Sequence, residues 1–260
     1  MIDLQASAGQ TKFPLKSVGV RSLRYPVMLL DQSTSEIQST VGMWKMGVPV
    51  TAAERGTHMS RFVQTLQERV VEPLCLDGLY KFAQETSKLL EAQGADLAVR
   101  FEWFREVQAP VSGLKSKMGC DVMFKAVTGE TNVKILEIKA AAKALCPCSK
   151  AISDFGAHNQ RSYITTRLYI EPTAEVPAIN LVIEMIEDSA SSAIYPLLKR
   201  EDEKFVTEEA YENPVFAEDL VRNVAEHLVD IKGVSRFEVK VVNQESIHDH
   251  DCYAEIDYSH

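Results

Sequence analysis

Long apolar runs are missing from this sequence. No stretch of its 260 residues approaches the roughly 20 apolar positions of a bilayer-spanning helix, so no membrane partner is expected. An excess of positive charge is missing too: 28 Lys and Arg stand against 37 Asp and Glu, a formal net charge of −9. A chain of that sign repels the nucleic-acid backbone, which argues against nucleic acid as the main partner. It leaves room for a local basic pocket and a small phosphorylated ligand. The opening residues, MIDLQASAGQTKF, show no basic start followed by an apolar run, so no secretion signal is expected and the location follows as cytoplasmic. Cysteine is scarce, five in all, and disulfides are uncommon in that compartment. What is present, 45% hydrophobic and 25% charged, is ordinary globular composition. The length suits one large domain or two fused units of about 130 residues each.

Hydrophobic periodicity orders the chain. Alternating runs at Ser17 to Leu30 and Glu36 to Val48 predict strands. The period then becomes helical, with Met59, Phe62, Val63 and Leu66 on one face and Thr57 as N-cap. A second helix is predicted over Leu76 to Gln93, with Leu79, Phe82, Leu89 and Leu90 inward and Gly94 ending it. DLAVRFEWFREVQ and CDVMFKAV read as strands, and TGETN as a turn. The order repeats: VKILEIKAAAKAL and RSYITTRLYI as strands, INLVIEMIEDSA and PVFAEDLVRNVAEHLVDI as helices, RFEVKVV and CYAEIDY as closing strands. In the second helix Phe216, Leu220, Val224, Leu228 and Ile231 form a stripe. The reading is α+β: tandem ββααββ units, divided at 1–128 and 129–260, pairing into one curved antiparallel sheet with helices on one face. Open sheet edges predict closure by further subunits.

The stretch CPCSKAISDFGAHNQ holds two of the five cysteines and His158. A Cys-Pro-Cys disulfide would be strained. That leaves a buried loop, or a metal and nucleophile site, since Cys sulfur and His nitrogen suit zinc and similar ions. One loop supplies too few ligands for a closed tetrahedral shell, so a metal here would keep an open position. SIHDHDCYAEIDY supplies His248 and His250, either a solvated turn or a proton-transfer group. YPLLKREDEKFVTEEAYENP reads as a charged, linker-like connection that could lend a carboxylate. Glu218, at a helix start, is explained by the helix dipole or by the paired N–H donors of a guanine edge. Arg61 in RGTHMSRF, Lys150 and Arg161 are the candidate phosphate contacts.

Together, GVRSLRYPV, RGTHMSRF, LCPCSK with GAHNQRS, YPLLKREDEKFVTEEAYENP and SIHDHDCYA resemble the prokaryotic type IB GTP cyclohydrolase I family, over about Val18 to Tyr253. The resemblance implies the tunnelling fold and a homotetramer. It implies conversion of GTP and water to 7,8-dihydroneopterin triphosphate and formate, the first step of tetrahydrofolate biosynthesis. It also implies a divalent zinc, manganese or iron ion. By motif, Cys146, His158 and Glu203 look like metal ligands, with Glu201 an alternative to Glu203. Cys148 looks like a catalytic or alternative metal-contacting thiol, Cys146 in the same reading looks catalytic, His248 looks like the proton-transfer residue and Glu218 the guanine anchor. KREDEK stands where relatives often have KRPDEK, a change beside the carboxylate and not in it. The competing readings are an archaeal-type iron(II) enzyme making a cyclic phosphate of dihydroneopterin, and a non-catalytic metal-sensing module. The Pro-Cys-x-x-Cys signature of zinc nucleobase deaminases is absent.

Overall fold

A computed structural model describes residues 12–32 and 35–260. The stretch read for a secretion signal lies, up to residue 11, outside the described residues. Two long strands come first, β1 (Leu15–Leu30) and β2 (Ile37–Val50). Successive strand residues face opposite sides, so β2 buries Trp44, Met46 and Val48 and leaves Met43 and Lys45 exposed. β1 holds an extra residue between Val20, opposite Met46, and Leu23, opposite Trp44. Ser22 takes φ 59 at that bulge.

Helix α1 (Met59–Arg69) buries Phe62 and Leu66. Its N-cap is His58, without a side-chain cap bond; Thr57, expected in that role, is buried instead. Helix α2 (Leu76–Leu89) buries Leu79 and Phe82 but stops before the predicted Gly94, with Leu89 exposed. Glu91 makes the turn at φ 53. Gly94 serves a close approach, since a Cβ there would lie 2.1 Å from the Thr128 carbonyl oxygen. Strands β3 (Ala95–Gln108) and β4 (Lys115–Thr128) complete the first ββααββ run.

The second run is β5 (Val133–Leu145), α3 (Pro147–Ile152), β6 (Asn159–Ile170), α4 (Ile179–Asp188), α5 (Arg200–Glu212), α6 (Ala217–Leu228), β7 (Val234–Asn243) and β8 (Cys252–Ser259). It contains the expected ββααββ order plus two helices. One is α3, inside the Cys/His connection. The other is α5, where the sequence reads as a linker. Its inward side is a single file of Asp202, Val206 and Ala210, four residues apart, and an acidic first member hides that file from a hydrophobicity pattern. In α6 the buried stripe is Leu220, Val224 and Leu228; Phe216, placed in it from the sequence, is the N-cap and 39% exposed.

All eight strands hydrogen-bond in chain order within one sheet, antiparallel at β1–β2, β2–β3 and β7–β8. Two compact units emerge, Met1–Glu102 with Val122–Leu136 and Tyr169–Val176, and Trp103–Asp121 with Glu137–Leu168 and Pro177–His260. The first has a core of Trp44, Phe62, Leu79, Phe82 and Leu97. Its Lys134 ammonium is buried and answered by Asp77 and the Ala174 carbonyl, both at 2.6 Å. In the second, α6 packs on β7 and β8, and the core includes Ile138, Ile164, Ile186, Leu220 and Phe237. Arg105 pairs there with Glu187, whose carboxyl is pushed up by burial against the pull of Arg105. Among the described residues no helix is long and apolar enough to cross a membrane.

Candidate active site

The second unit gathers most of the residues the sequence singled out. β5 ends at Leu145 and the chain turns at once into α3, with Cys146 as N-cap and Pro147 in its first turn, where a missing N–H is harmless. The Cys146 thiol accepts the Ser149 N–H at 3.5 Å. The Ser149 hydroxyl donates to the Cys146 carbonyl at 3.1 Å and accepts the His158 N–H at 3.1 Å. Cys146 N–H in turn donates to the His158 carbonyl at 3.1 Å. One serine and one ladder bond therefore hold Cys146 and His158 side by side, although twelve positions separate them in the chain. Cys148 is exposed in the first turn of α3, and all five cysteines are free thiols.

The His158 ring is oriented from behind. Its Nδ1 lies 3.1 Å from the Gln160 side-chain oxygen and 3.5 Å from the Ser246 hydroxyl. An amide oxygen only accepts, so the Gln160 contact places the proton on Nδ1 and leaves the Nε2 lone pair available. Metal-binding histidines are commonly fixed in this way. A cysteine thiol and a histidine nitrogen are donor types that suit zinc and similar ions.

Ser246 belongs to the β7–β8 connection, residues 244–251, so its bond brings that loop to His158. His248 and His250 sit on the loop, exposed, their rings stacked at 5.4 Å. Behind them Cys252 donates to a Glu245 carboxylate oxygen at 3.6 Å. Burial pushes the Cys252 thiol up, and the charges of Glu245 and Glu218 add to it. Glu218, exposed in the first turn of α6, is thus within electrostatic reach of Cys252, the first residue of β8. The other Glu245 oxygen is buried with no hydrogen-bond partner among the described residues. The sequence reading missed Glu245, whose only signal was its place in QESIHDHDC.

Other expected contacts are placed elsewhere. The Lys150 ammonium donates to the Tyr211 carbonyl and lies 4.2 Å from that ring's centre, so α3 is tied to the last turn of α5. Glu203 is exposed on α5, eight residues from Tyr211, which is about 12 Å along a helix. Among the described residues no three His, Cys, Asp or Glu side chains gather closely enough to hold an ion; the chain joins Cys146 to His158 without Glu203 or Glu201. Arg161 is exposed on β6. Arg61 is exposed on α1, in the first unit.

Between Glu201 and Glu203 lies a residue the sequence reading passed over. Asp202 is fully buried. One carboxylate oxygen accepts the N–H groups of Val111 and Ser112, both at 2.8 Å, and the other the Ser112 hydroxyl at 2.6 Å and the Lys199 N–H at 2.9 Å. Burial alone would raise this carboxyl, but these bonds, Ser112's foremost, outweigh it and hold it well below the usual carboxylate range. With Asp202 facing inward, Glu201 and Glu203 face out.

Eight strands in chain order with helices between pairs define an α+β protein of the tunnelling fold. Uricase from Arthrobacter globiformis shares it at a TM-score of 0.54 with 7% identity, covering 94% of this chain and 93% of that one. Urate oxidase from Bacillus subtilis 168 shares it at 0.52 with 9% identity, covering 94% and 98%. Identities so low show the fold alone. Sequence supplies the family: residues 1–254 match the model of type I GTP cyclohydrolase folE2. GTP cyclohydrolase FolE2 of Bordetella avium is 41% identical over 99% of this chain and 96% of its own length. That of Neisseria meningitidis strain FAM18 is 44% identical over 98% and 84%. The chain belongs to the type I GTP cyclohydrolase FolE2 family.

Proposed function

We propose that this chain is a metal-dependent GTP cyclohydrolase I of type IB, converting GTP and water to 7,8-dihydroneopterin triphosphate and formate for tetrahydrofolate synthesis. The observation that carries the reading is the Cys146–His158 pair, fixed through Ser149 and Gln160 in a chain of this family. Cys146 and His158 would hold the divalent ion, with Glu203 or its neighbour Glu201, not clustered with them in this structure, recruited as third ligand. The ion supplies Lewis acidity, which makes water a usable nucleophile near neutral pH.

The remaining roles fall to side chains. Glu218 accepts the two N–H donors of the guanine edge in charge-assisted bonds and fixes the base. His248 exchanges protons at N7 and with the ring-opened species, as an imidazole can near neutrality. Cys148, exposed on α3, is assigned the role of a catalytic or alternative metal-contacting thiol. One water opens the imidazole ring at C8, a second releases C8 as formate, and closure of the opened ribose onto the exposed amine returns one water. The balance is one water consumed per GTP. Arg61, Lys150 and Arg161 are assigned to the triphosphate, Lys150 after leaving Tyr211. The chain works in the cytoplasm as a homotetramer.

The test is product analysis. Protein reconstituted with manganese(II) and given GTP is expected to release formate and a fluorescent pterin triphosphate, after oxidation, in equal amounts. Formate with a cyclic phosphate instead would move the assignment to the archaeal-type reaction. Metal uptake with no formate would remove the cyclohydrolase reading.

A further inference from the structure

One pair of cations beside the Cys146–His158 hairpin has no internal explanation. A backbone bond sets the register of β5 against β6, and a side-chain pair further along agrees with it. At one end Cys146 N–H bonds the His158 carbonyl; at the other, Glu137 on β5 accepts the Arg167 Nε–H on β6 at 2.8 Å. Counting inward from either end sets Lys143 directly opposite Arg161. The backbone shows which kind of pair this is. The Lys143 N–H and carbonyl are engaged by Ser192 and Ser191, and the Arg161 carbonyl by the Gln244 N–H. Neither bonds the other, so this is the closer, non-hydrogen-bonded pair of an antiparallel ladder, with Cα atoms about 4.5 Å apart.

Like charges directly opposite each other destabilise a sheet. Neighbouring cations on this face have partners: Arg167 has Glu137 and Glu238, Arg236 has Glu238 and Asp257, Lys240 has Glu255, and Lys139 lies over the Tyr163 ring at 4.8 Å. Among the described residues no carboxylate pairs with Lys143 or Arg161. Lys143 is also half-buried, and burial pulls its ammonium down, which deepens the cost of keeping the pair. An external anion would offset both. The pair lies three residues from Cys146 and from His158, about 10 Å along the strands. That is a reach suited to a nucleotide whose base is held near His158. A guanidinium fork beside an ammonium point charge is a common way to grip phosphate oxygens.

The geometry points to Lys143 as a substrate-binding residue that receives, together with Arg161, the phosphate chain of the nucleotide; this rests on the GTP reading above. Inorganic tripolyphosphate is the probe, added to metal-free full-length protein. Lys143→Gln is expected to bind it roughly tenfold or more weakly than the parent, the loss of one charge-assisted contact, while Lys143→Arg retains it. Without the probe, Lys143→Gln should unfold at the same or a higher temperature, because repulsion is relieved. With GTP, its KM rises while kcat holds. Undiminished tripolyphosphate binding, or a lowered unfolding temperature in both Lys143→Gln and Lys143→Met, would overturn the inference and make Lys143 structural. Binding through Lys143 in a protein that does not turn over GTP would support the anion pair and remove the nucleotide as its ligand.

Discussion

Ser149 and Asp202 each use one short polar side chain to place groups far apart in sequence. Ser149 faces two ways, to the Cys146 carbonyl and the His158 N–H, so thiol and imidazole are positioned by the backbone and not only by their own rotamers. Asp202 anchors the start of α5 to the turn between β3 and β4 through three hydrogen bonds and caps its own helix by accepting the Lys199 N–H. Its folded-state pKa is depressed, so its contribution to stability is present above the unfolded carboxylate pKa and fades as pH falls through the folded value. Asp202→Asn keeps the shape but loses the charge and one acceptor. Urea unfolding should find the variant less stable at neutral pH. The gap should narrow as pH drops below about 3.9, the unfolded value. A gap independent of pH would mean that the carboxylate's charge is not what matters.

Elements differed in how far their sequence announced them. The strands are long and alternate in part, as in the second half of β5, where Ala140, Ala142 and Ala144 are buried between more exposed Lys139, Ala141 and Lys143. Most were readable to within two residues, but β4 begins at Lys115, five residues before the run CDVMFKAV. Helix α5 was not, because its buried file begins with an aspartate and is one residue wide. The nearness of Cys146 to His158 also lay beyond pattern reading. It depends on a six-residue helix closed by a serine, and spacing alone does not tell such a turn from an open loop. Lys143 was hidden in an alanine-rich strand, and its significance appeared only with the register. Helix α6 carries Glu218, and its position rests on Leu220, Val224 and Leu228, all fully buried. Leu228→Ala is expected to cost about 2–5 kcal/mol, measured by urea denaturation. A cost below 1 kcal/mol, on the same scale, would show that the helix is held by something other than this stripe.

For the whole chain, a net charge of −9 coexists with a cationic pair on the strands that lead into the Cys/His turn. Overall sign therefore excludes a polyanionic partner more safely than it excludes a small one. The α+β class and the repeated strand–helix order were legible because periodicity reports them. The family came from five separated motifs in order, which no single periodicity contains. The proposed chemistry turns on a metal held by Cys146 and His158. Manganese(II) binding, followed by electron paramagnetic resonance on the unmodified chain, Cys146→Ala and His158→Ala, tests it without relying on turnover. The expected result is about one bound ion per unmodified chain and loss of that bound signal in both variants, with their folds intact by circular dichroism. Full-stoichiometry binding in both variants would contradict the account.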